Sequence, residues 1–333
     1  MNIDKKTYRL KPQVKIENLL PEIDQKKDCQ RIIDGLLKNK KSIPSVYFYD
    51  ETGSQLFEEI TRLPEYYLNR TEKLLLAEVS TQIADGIKDI DIVEIGSGDC
   101  SKISILFDSI PAINRKTIRY LPIDISQSAI QKSANNLIDC FPEIEVHGIA
   151  ANFLDQIRLP YQRKKRLFCF FGSTIGNLSR KKSLNFLINL KENMEPGDRL
   201  LLGLDLIKNP KIIEAAYNDS QKVTEKFNQN ILNVVNQKIK SDFYPKDFNH
   251  LAYYNQDYCR IEMHLKAKKD LMVSSPYLEN NIWIKKNETI HTENSHKFSP
   301  GQINYLTKKS GFEIKRKFFD PKQWYSIVEL TKR

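Results

Sequence analysis

The stretch DIVEIGSGDCSK, residues 91–102, decides the fold. A short apolar run ends in Gly96 and Gly98, and KISILFDSI (102–110) continues at helical spacing. Glycines at a strand-to-helix turn adopt conformations that other residues avoid and let a ligand approach the backbone closely. Toward the C-terminus, TIRYLPID (117–124) is a second apolar run, closed by Asp124, and SAIQKSANNLI (128–138) is helical. EVHGIA (145–150), RLFCFFGST (166–174) and DRLLLGLDLI (198–207) are three more strands, with the helix SLNFLINLKENM (183–194) between the last two. Strands alternating with helices indicate βαβ units on a parallel sheet. The closing stretch, 303–332, reads helix–strand–strand and predicts a seven-stranded sheet whose last strand runs antiparallel.

The alternation breaks between 208 and 290. A helical piece (211–239) precedes strands that look antiparallel: 258–268, 271–275, 282–286 and 288–293. Upstream of the glycine turn, 51–62 and 70–85 read as amphipathic helices, with Pro64 in the break between them. The expected division is a parallel-sheet domain at 70–207 plus 297–333 and a smaller α+β domain at 1–69 plus 208–296.

Composition narrows the class. The chain has 333 residues, 40% of them apolar, enough for one large core and a satellite. Net charge is +10, but the lysines are spread out, with only short basic clusters such as Arg163, Lys164, Lys165 and Arg166. A solvated basic surface is therefore favoured over a nucleic-acid partner. Five scattered cysteines without a C-x-x-C argue against a disulfide framework or zinc site and fit a reducing cytoplasm. The N-terminus has no apolar stretch that would make a secretory signal, and no apolar run approaches a membrane span.

The glycine turn points to a nucleotide. Asp124 lies 26 residues past Gly98, at the next strand end, where an acid meets ribose hydroxyls. The dinucleotide fingerprint wants glycine at the sixth position of G-x-G-x-x-G, and Ser101 stands there. Glu94, two residues before the first glycine, and the antiparallel last strand suit S-adenosylmethionine better. The backbone of Gly96, Ser97 and Gly98 would cradle that cofactor. Lys102, in the first turn of the helix, can meet its carboxylate.

Longer motifs are more specific. FYDETGSQLFEEITRLPEYYLNRTE (48–72), VEIGSG (93–98), FFGSTIGN (170–177), GLDLIKNPKIIEAAYND (203–219) and HTENSHKF (291–298) resemble, in that order, segments of the histidine Nα-methyltransferases of ergothioneine biosynthesis. The resemblance runs from about residue 40 to near the end. It implies a Rossmann-like methyltransferase fold with a second domain, and a substrate bound between the two. It also implies S-adenosylmethionine as cofactor, L-histidine as substrate, and three successive methyl transfers to the α-amine giving hercynine. A cytoplasmic monomer that binds neither membrane nor nucleic acid is expected.

The resemblance also assigns residues. Gly172 and Asn177 fall near the substrate's α-amino and carboxylate groups, and Tyr217 on the carboxylate. Tyr66, Glu293 and Ser295 fall around the imidazole, with Met263 beside the ring. Tyr49 falls near the cofactor and the reacting amine, and with Asn177 is the catalytic candidate. Asn152, before Phe153, stands where the family often has Asp reading the adenine amino group. The Asn oxygen can still accept that bond.

These residue types suit the chemistry. Methyl transfer to an amine is an in-line displacement that needs positioning and a neutral nucleophile. An amide such as Asn177 holds the substrate without a charge that would favour the protonated amine. No strong base stands out, so the proton is expected to leave to water, with Tyr49 as the candidate relay. Taken one at a time, Tyr66, Tyr67 and Met263 read as core packing and Glu293 as a solvated carboxylate; their joint order reverses that. His291 and His296 flank Glu293, but at a spacing poor for metal, and none is expected. The alternatives are the same chemistry on tryptophan or tyrosine, or an RNA-directed binder using the basic surface.

Overall fold

A computed structural model describes residues 13–20, 25–154, 159–160 and 165–332. Arg163 and Lys164 of the basic cluster, and the first twelve residues, lie outside the described residues. The strands in chain order are β1 (Val14–Asn18), β2 (Ile90–Ile95), β3 (Arg119–Asp124), β4 (Glu145–Ala150), β5 (Lys165–Phe170) and β6 (Arg199–Asp205). They continue with β7 (Phe248–Asn255), β8 (Arg260–Ala267), β9 (Leu271–Val273), β10 (Ile282–Ile284), β11 (Thr289–His296), β12 (Phe312–Phe319) and β13 (Tyr325–Lys332). The large sheet has the order β1-β4-β3-β2-β5-β6-β13-β12. Its first six strands are parallel, and β13 runs antiparallel between β6 and β12.

The seven expected strands are all present, and an eighth joins them. VKIEN pairs in parallel with β4, in register Val14↔Val146 to Asn18↔Ala150, so this part of the N-terminal segment belongs to the large sheet. Five residues with lysine and glutamate between the apolar positions carry too little periodicity to declare a strand; the exposed edge of β4 supplies the pairing.

Apolar side chains cover both faces of the sheet. One face packs the helices Tyr67–Ala84, Ser101–Asp108 and Gln127–Cys140 around Leu76, Ile103, Phe107 and Tyr120. The other packs Arg180–Glu192 and Pro300–Lys309 around Phe168, Phe170, Leu187 and Ile303. A third core joins the helices Gln25–Leu36, Glu51–Ile60 and Val223–Ile239 to the small antiparallel sheet β11-β8-β7. β9 and β10 form a separate hairpin.

Local chemistry sets the helix ends that matter. Asp50 caps Glu51–Ile60 by accepting the Gly53 N–H at 2.7 Å. The helix expected at 70–85 starts at Tyr67, which brings Glu72 well inside it. The piece expected at 211–239 is two helices, Pro210–Ala215 and Val223–Ile239. Asp219 accepts the N–H groups of Val223 and Thr224, each at 2.8 Å, so a new helix starts after a break that contains Tyr217.

Candidate active site

In the large sheet the strand order reverses at β2, with β3 on one side and β5 on the other. Ligands of open α/β sheets bind beyond the carboxyl ends of strands at such a point. The carboxyl ends of β2, β3, β4, β5 and β6 carry, respectively, the glycine turn, Asp124, Asn152, the Gly172–Asn177 turn and Asp205.

The glycine turn is shaped for a ligand rather than for packing. Gly96 and Gly98 have φ of 68° and 53°, and a Cβ on either would meet nothing within 4 Å. The Gly98 N–H donates to Asp124 Oδ2 at 3.1 Å and the Ser126 N–H to Oδ1 at 3.0 Å, which aims the carboxylate across the turn. Burial raises the Asp124 pKa against these backbone bonds. The buried Ser97 hydroxyl has no partner among the described residues. Beneath the turn, Tyr120 donates to Glu94, whose carboxyl burial pushes up to about 8. The Asn152 side-chain oxygen accepts the Leu154 N–H at 3.2 Å and keeps a second lone pair. The Phe153 ring turns inward, 5.5 Å from Phe170 and 5.9 Å from Phe186.

Lys102 is already paired. Its Nζ lies 3.1 Å from Oε2 of Glu72, a fully buried acid absent from the sequence-derived site. Glu72 also accepts the Gly172 N–H at 2.9 and 2.8 Å and the Tyr325 hydroxyl at 2.8 Å. It thereby ties the turn after β5 to the helix after β2. The available signal was one acid on an apolar helical stripe with Leu68, Leu75, Leu76 and Val79.

The Gly172–Asn177 turn docks on β11. A Cβ at Gly176 would sit 2.8 Å from the His296 carbonyl oxygen, so only glycine permits this approach. Ser173 Oγ accepts the Asp205 N–H at 2.9 Å. Asn177 is half-buried, and its side chain makes no hydrogen bond among the described residues.

Beyond that turn, side chains of the second unit gather on its core. The Tyr66 and Tyr217 rings are 6.2 Å apart, and Tyr49 packs on Phe57 and Phe227. A bulge between His291 and Glu293 shifts the alternation of β11. Glu293 then stands opposite Met263 and Ser295 opposite Ile261, on the face that carries the core. Glu293 is buried and its Oε2 is unpartnered among the described residues. Burial pushes its pKa up to about 7, opposed by Lys297. The half-buried Tyr49 is held well above the usual phenol value by burial and then by Glu293, Tyr66, Asp124 and Tyr217. One hydroxyl thus feels both Asp124 beside the glycine turn and Glu293 on β11.

Behind Ser295 is a polar cluster. Tyr217 donates to Ser295 Oγ at 2.8 Å. The fully buried Lys297 lies 3.0 Å from Ser295 Oγ, 3.3 Å from the Tyr217 hydroxyl and 2.6 Å from Asp205 Oδ2. Tyr67 donates to Asp205 at 2.8 Å, and Lys208 pairs with its other oxygen. Burial acts to raise the Asp205 pKa, but Lys297 and Lys208 outweigh it and hold the carboxylate below its usual value. Asp205, Lys208 and Lys297 were not among the sequence-derived residues, and Tyr67 read as core. Among the described residues no group of three or more His, Cys, Asp or Glu is placed to hold a metal. His291 instead meets the His264 ring at 5.1 Å.

A parallel sheet with one reversed strand, a glycine cradle and an acid at the next strand end together define a Rossmann-like methyltransferase. The model of the family described as histidine-specific, S-adenosylmethionine-dependent methyltransferases matches residues 28–332, and the chain belongs to that family. It is 37% identical over 82% of its length to the histidine N-alpha-methyltransferase of Mycobacterium tuberculosis, covering 84% of that protein. It is 35% identical over 86% of its length to the enzyme of that name from Mycolicibacterium smegmatis, covering 89% of it. It is 29% identical over 87% of its length to ergothioneine biosynthesis protein 1 of Schizosaccharomyces pombe, matching 39% of that longer chain.

Proposed function

We propose that this protein methylates the α-amino group of L-histidine three times, giving hercynine for ergothioneine biosynthesis, as a cytoplasmic monomer. Family membership supports the reaction class, and the activity for which the two mycobacterial relatives are named supports the substrate. The observation that carries the substrate assignment is the buried Glu293 oxygen without a partner among the described residues, two residues from Ser295 on one face of β11. No helix among the described residues is long and apolar enough to cross a membrane.

S-adenosylmethionine supplies the electrophilic methyl group. Gly96, Ser97 and Gly98 would receive its amino-acid end, Asp124 its ribose and Asn152 its adenine. Phe153 would support that wall from below, since its ring packs on Phe170 and Phe186. Lys102 would act while held by Glu72, so the pair presents little net charge to a carboxylate. Asn177 and Gly172 would orient the substrate's amine and carboxylate, and Tyr217 the carboxylate. Tyr66, Met263, Glu293 and Ser295 would enclose the ring. Tyr49 stays a neutral phenol at physiological pH and serves as a hydrogen-bonding relay to water rather than as a base.

The catalytic and binding units of this reading are 70–207 plus 297–333 and 1–69 plus 208–296, with Val14–Asn18 reassigned to the first. The three separate cores support that division. Mass spectrometry of histidine incubated with the protein and S-adenosylmethionine tests the function. A gain of three methyl groups is expected; unchanged histidine refutes it.

A further inference from the structure

We infer that Glu72 is a positioning residue that couples the two halves of the site. Its one carboxylate holds both Lys102, assigned to the cofactor, and the turn at Gly172, assigned to the substrate, so that filling either half orders the other. The inference rests on the site reading above and adds the side chain that joins its parts.

Glu72 lies on the helix Tyr67–Ala84, which starts directly after Tyr66. Its side chain is fully buried, and a buried carboxylate persists only where charge and hydrogen bonds meet it. Among the described residues three groups do so, each from a different segment. Lys102 Nζ, in the helix after β2, lies 3.1 Å from Oε2. The Gly172 N–H donates to both oxygens, at 2.9 and 2.8 Å. The Tyr325 hydroxyl donates to Oε1 at 2.8 Å, from β13. On β6, a Cβ at Gly203 would lie 2.6 Å from that hydroxyl and run into Oε1, so glycine there makes the room.

The three partners are not equivalent. Tyr325 is fully buried in the core of the large sheet, whereas Lys102 and Gly172 are half-buried. The Lys102 side chain keeps 21% of its surface exposed, and an ammonium has two donors to spare after Glu72. Gly172 has a left-handed φ of 75°, and a Cβ on it would sit 3.1 Å from Lys102 Nζ, so the cation and the turn lie side by side. Oε2 is shared between them. A ligand carboxylate that draws on Lys102 fixes a long, flexible side chain, and through Oε2 it fixes the turn. The second ligand then meets a turn already ordered and loses less entropy on binding. By linkage the gain is the same whichever ligand comes first.

Glu72 could instead serve only to fasten its helix to the sheet. Two variants separate the roles. In Glu72→Gln the amide oxygen can keep Gly172 and Tyr325, which already share Oε1, while the amide nitrogen cannot accept from Lys102. Tyr325→Phe removes the third bond and leaves Lys102 and Gly172 on the carboxylate. The readout is the calorimetric Kd of histidine with and without saturating S-adenosylhomocysteine, with Tm as the check on folding.

Wild type should bind histidine about 5- to 150-fold more tightly when S-adenosylhomocysteine is present. Glu72→Gln should lose most of that factor, while S-adenosylhomocysteine alone binds as well or better, because Lys102 no longer faces a neutralising carboxylate. Tyr325→Phe should keep the factor and lower only Tm. A wild-type factor of one, an unchanged factor in Glu72→Gln, or an equal loss in Tyr325→Phe overturns the inference. Should Glu72→Gln fail to fold, Lys102→Met breaks the same ion pair from its exposed end, and an unchanged factor there overturns it too. A wild type that binds neither ligand refutes the site reading itself, a different result from a factor of one.

Discussion

The two ends of the site are built differently. The cofactor end is made of short turns at the rim of the large sheet, where backbone N–H groups and two left-handed glycines do most of the shaping. The end proposed for the substrate is made of side chains around β11 and the second core, with buried charges packed behind them. Backbone turns tolerate substitution at the sites they do not use. A buried polar cluster does not, because each group removed leaves another unpaired. The substrate end should therefore show the larger and more selective mutational effects.

The sharpest test of that contrast is Glu293→Ala. On the proposed reading it removes a charge-assisted bond to an imidazole N–H, a loss of roughly 2–4 kcal/mol, or about 30- to 1000-fold in histidine kcat/KM. Tryptophan, tyrosine and phenylalanine should lose little or improve, since the buried carboxylate that excludes them is gone. Equal losses across all four would make Glu293 structural and erase the difference between the two ends.

At the cofactor end Asp124→Ala should weaken S-adenosylhomocysteine binding by roughly 30- to 150-fold, from loss of the ribose contact and of the anchor for the Gly98 and Ser126 N–H groups. Calorimetry gives the affinity. Wild-type affinity in the variant would move the nucleoside elsewhere.

Stability against pH gives a third, smaller contrast. The folded-state pKa of Glu293, about 7, lies above its unfolded value of 4.5. The native state therefore favours the protonated carboxyl. Its contribution is fully present below the unfolded pKa and is lost as pH rises through about 7. Glu293→Gln removes that loss, so the ligand-free variant should gain roughly 2–3 kcal/mol on wild type between about pH 5 and pH 8. Urea unfolding at the two pH values measures it. A constant difference would mean that Glu293 is already ionised at the lower pH.

The smallest effect is expected from Asn152→Asp, which puts there the acid that the sequence resemblance leads one to expect. A carboxylate strengthens the bond to an adenine amino group, by about 2- to 10-fold in S-adenosylhomocysteine affinity. Weaker binding in the variant would show that the Asn152 oxygen is committed to the Leu154 N–H.

Much of this was legible in the residues. The glycine turn, Asp124 in phase with it and the strand–helix alternation follow from patterns a few residues long. The motifs in order named Tyr49, Tyr66, Tyr217, Met263 and Glu293, which the fold gathers on one core. Lys102 was legible as a cation near the turn, but its partner Glu72 was not. Nothing local distinguishes an acid that will be buried on a helix from one that will face water.

Two features were decided only in three dimensions. Strict alternation from His291, which faces His264, would leave Glu293 and Ser295 on the outer face, and it is the bulge at Thr292 that turns them inward. The bulge persists because the Thr292 hydroxyl reaches Asn228 Oδ1 at 2.7 Å, a partner on a distant helix. Likewise Lys297 and Asp205 sit in separate motifs, each an ordinary charged residue by itself. Folding buries both, and a buried charge persists only where an opposite charge and hydrogen bonds meet it. Sequence determined the sheet, the cradle and the residue types at the pocket, because backbone conformation and periodicity are local. Which side chains gather on the inner face of β11 depended on pairings between distant segments that exist only in the packed chain.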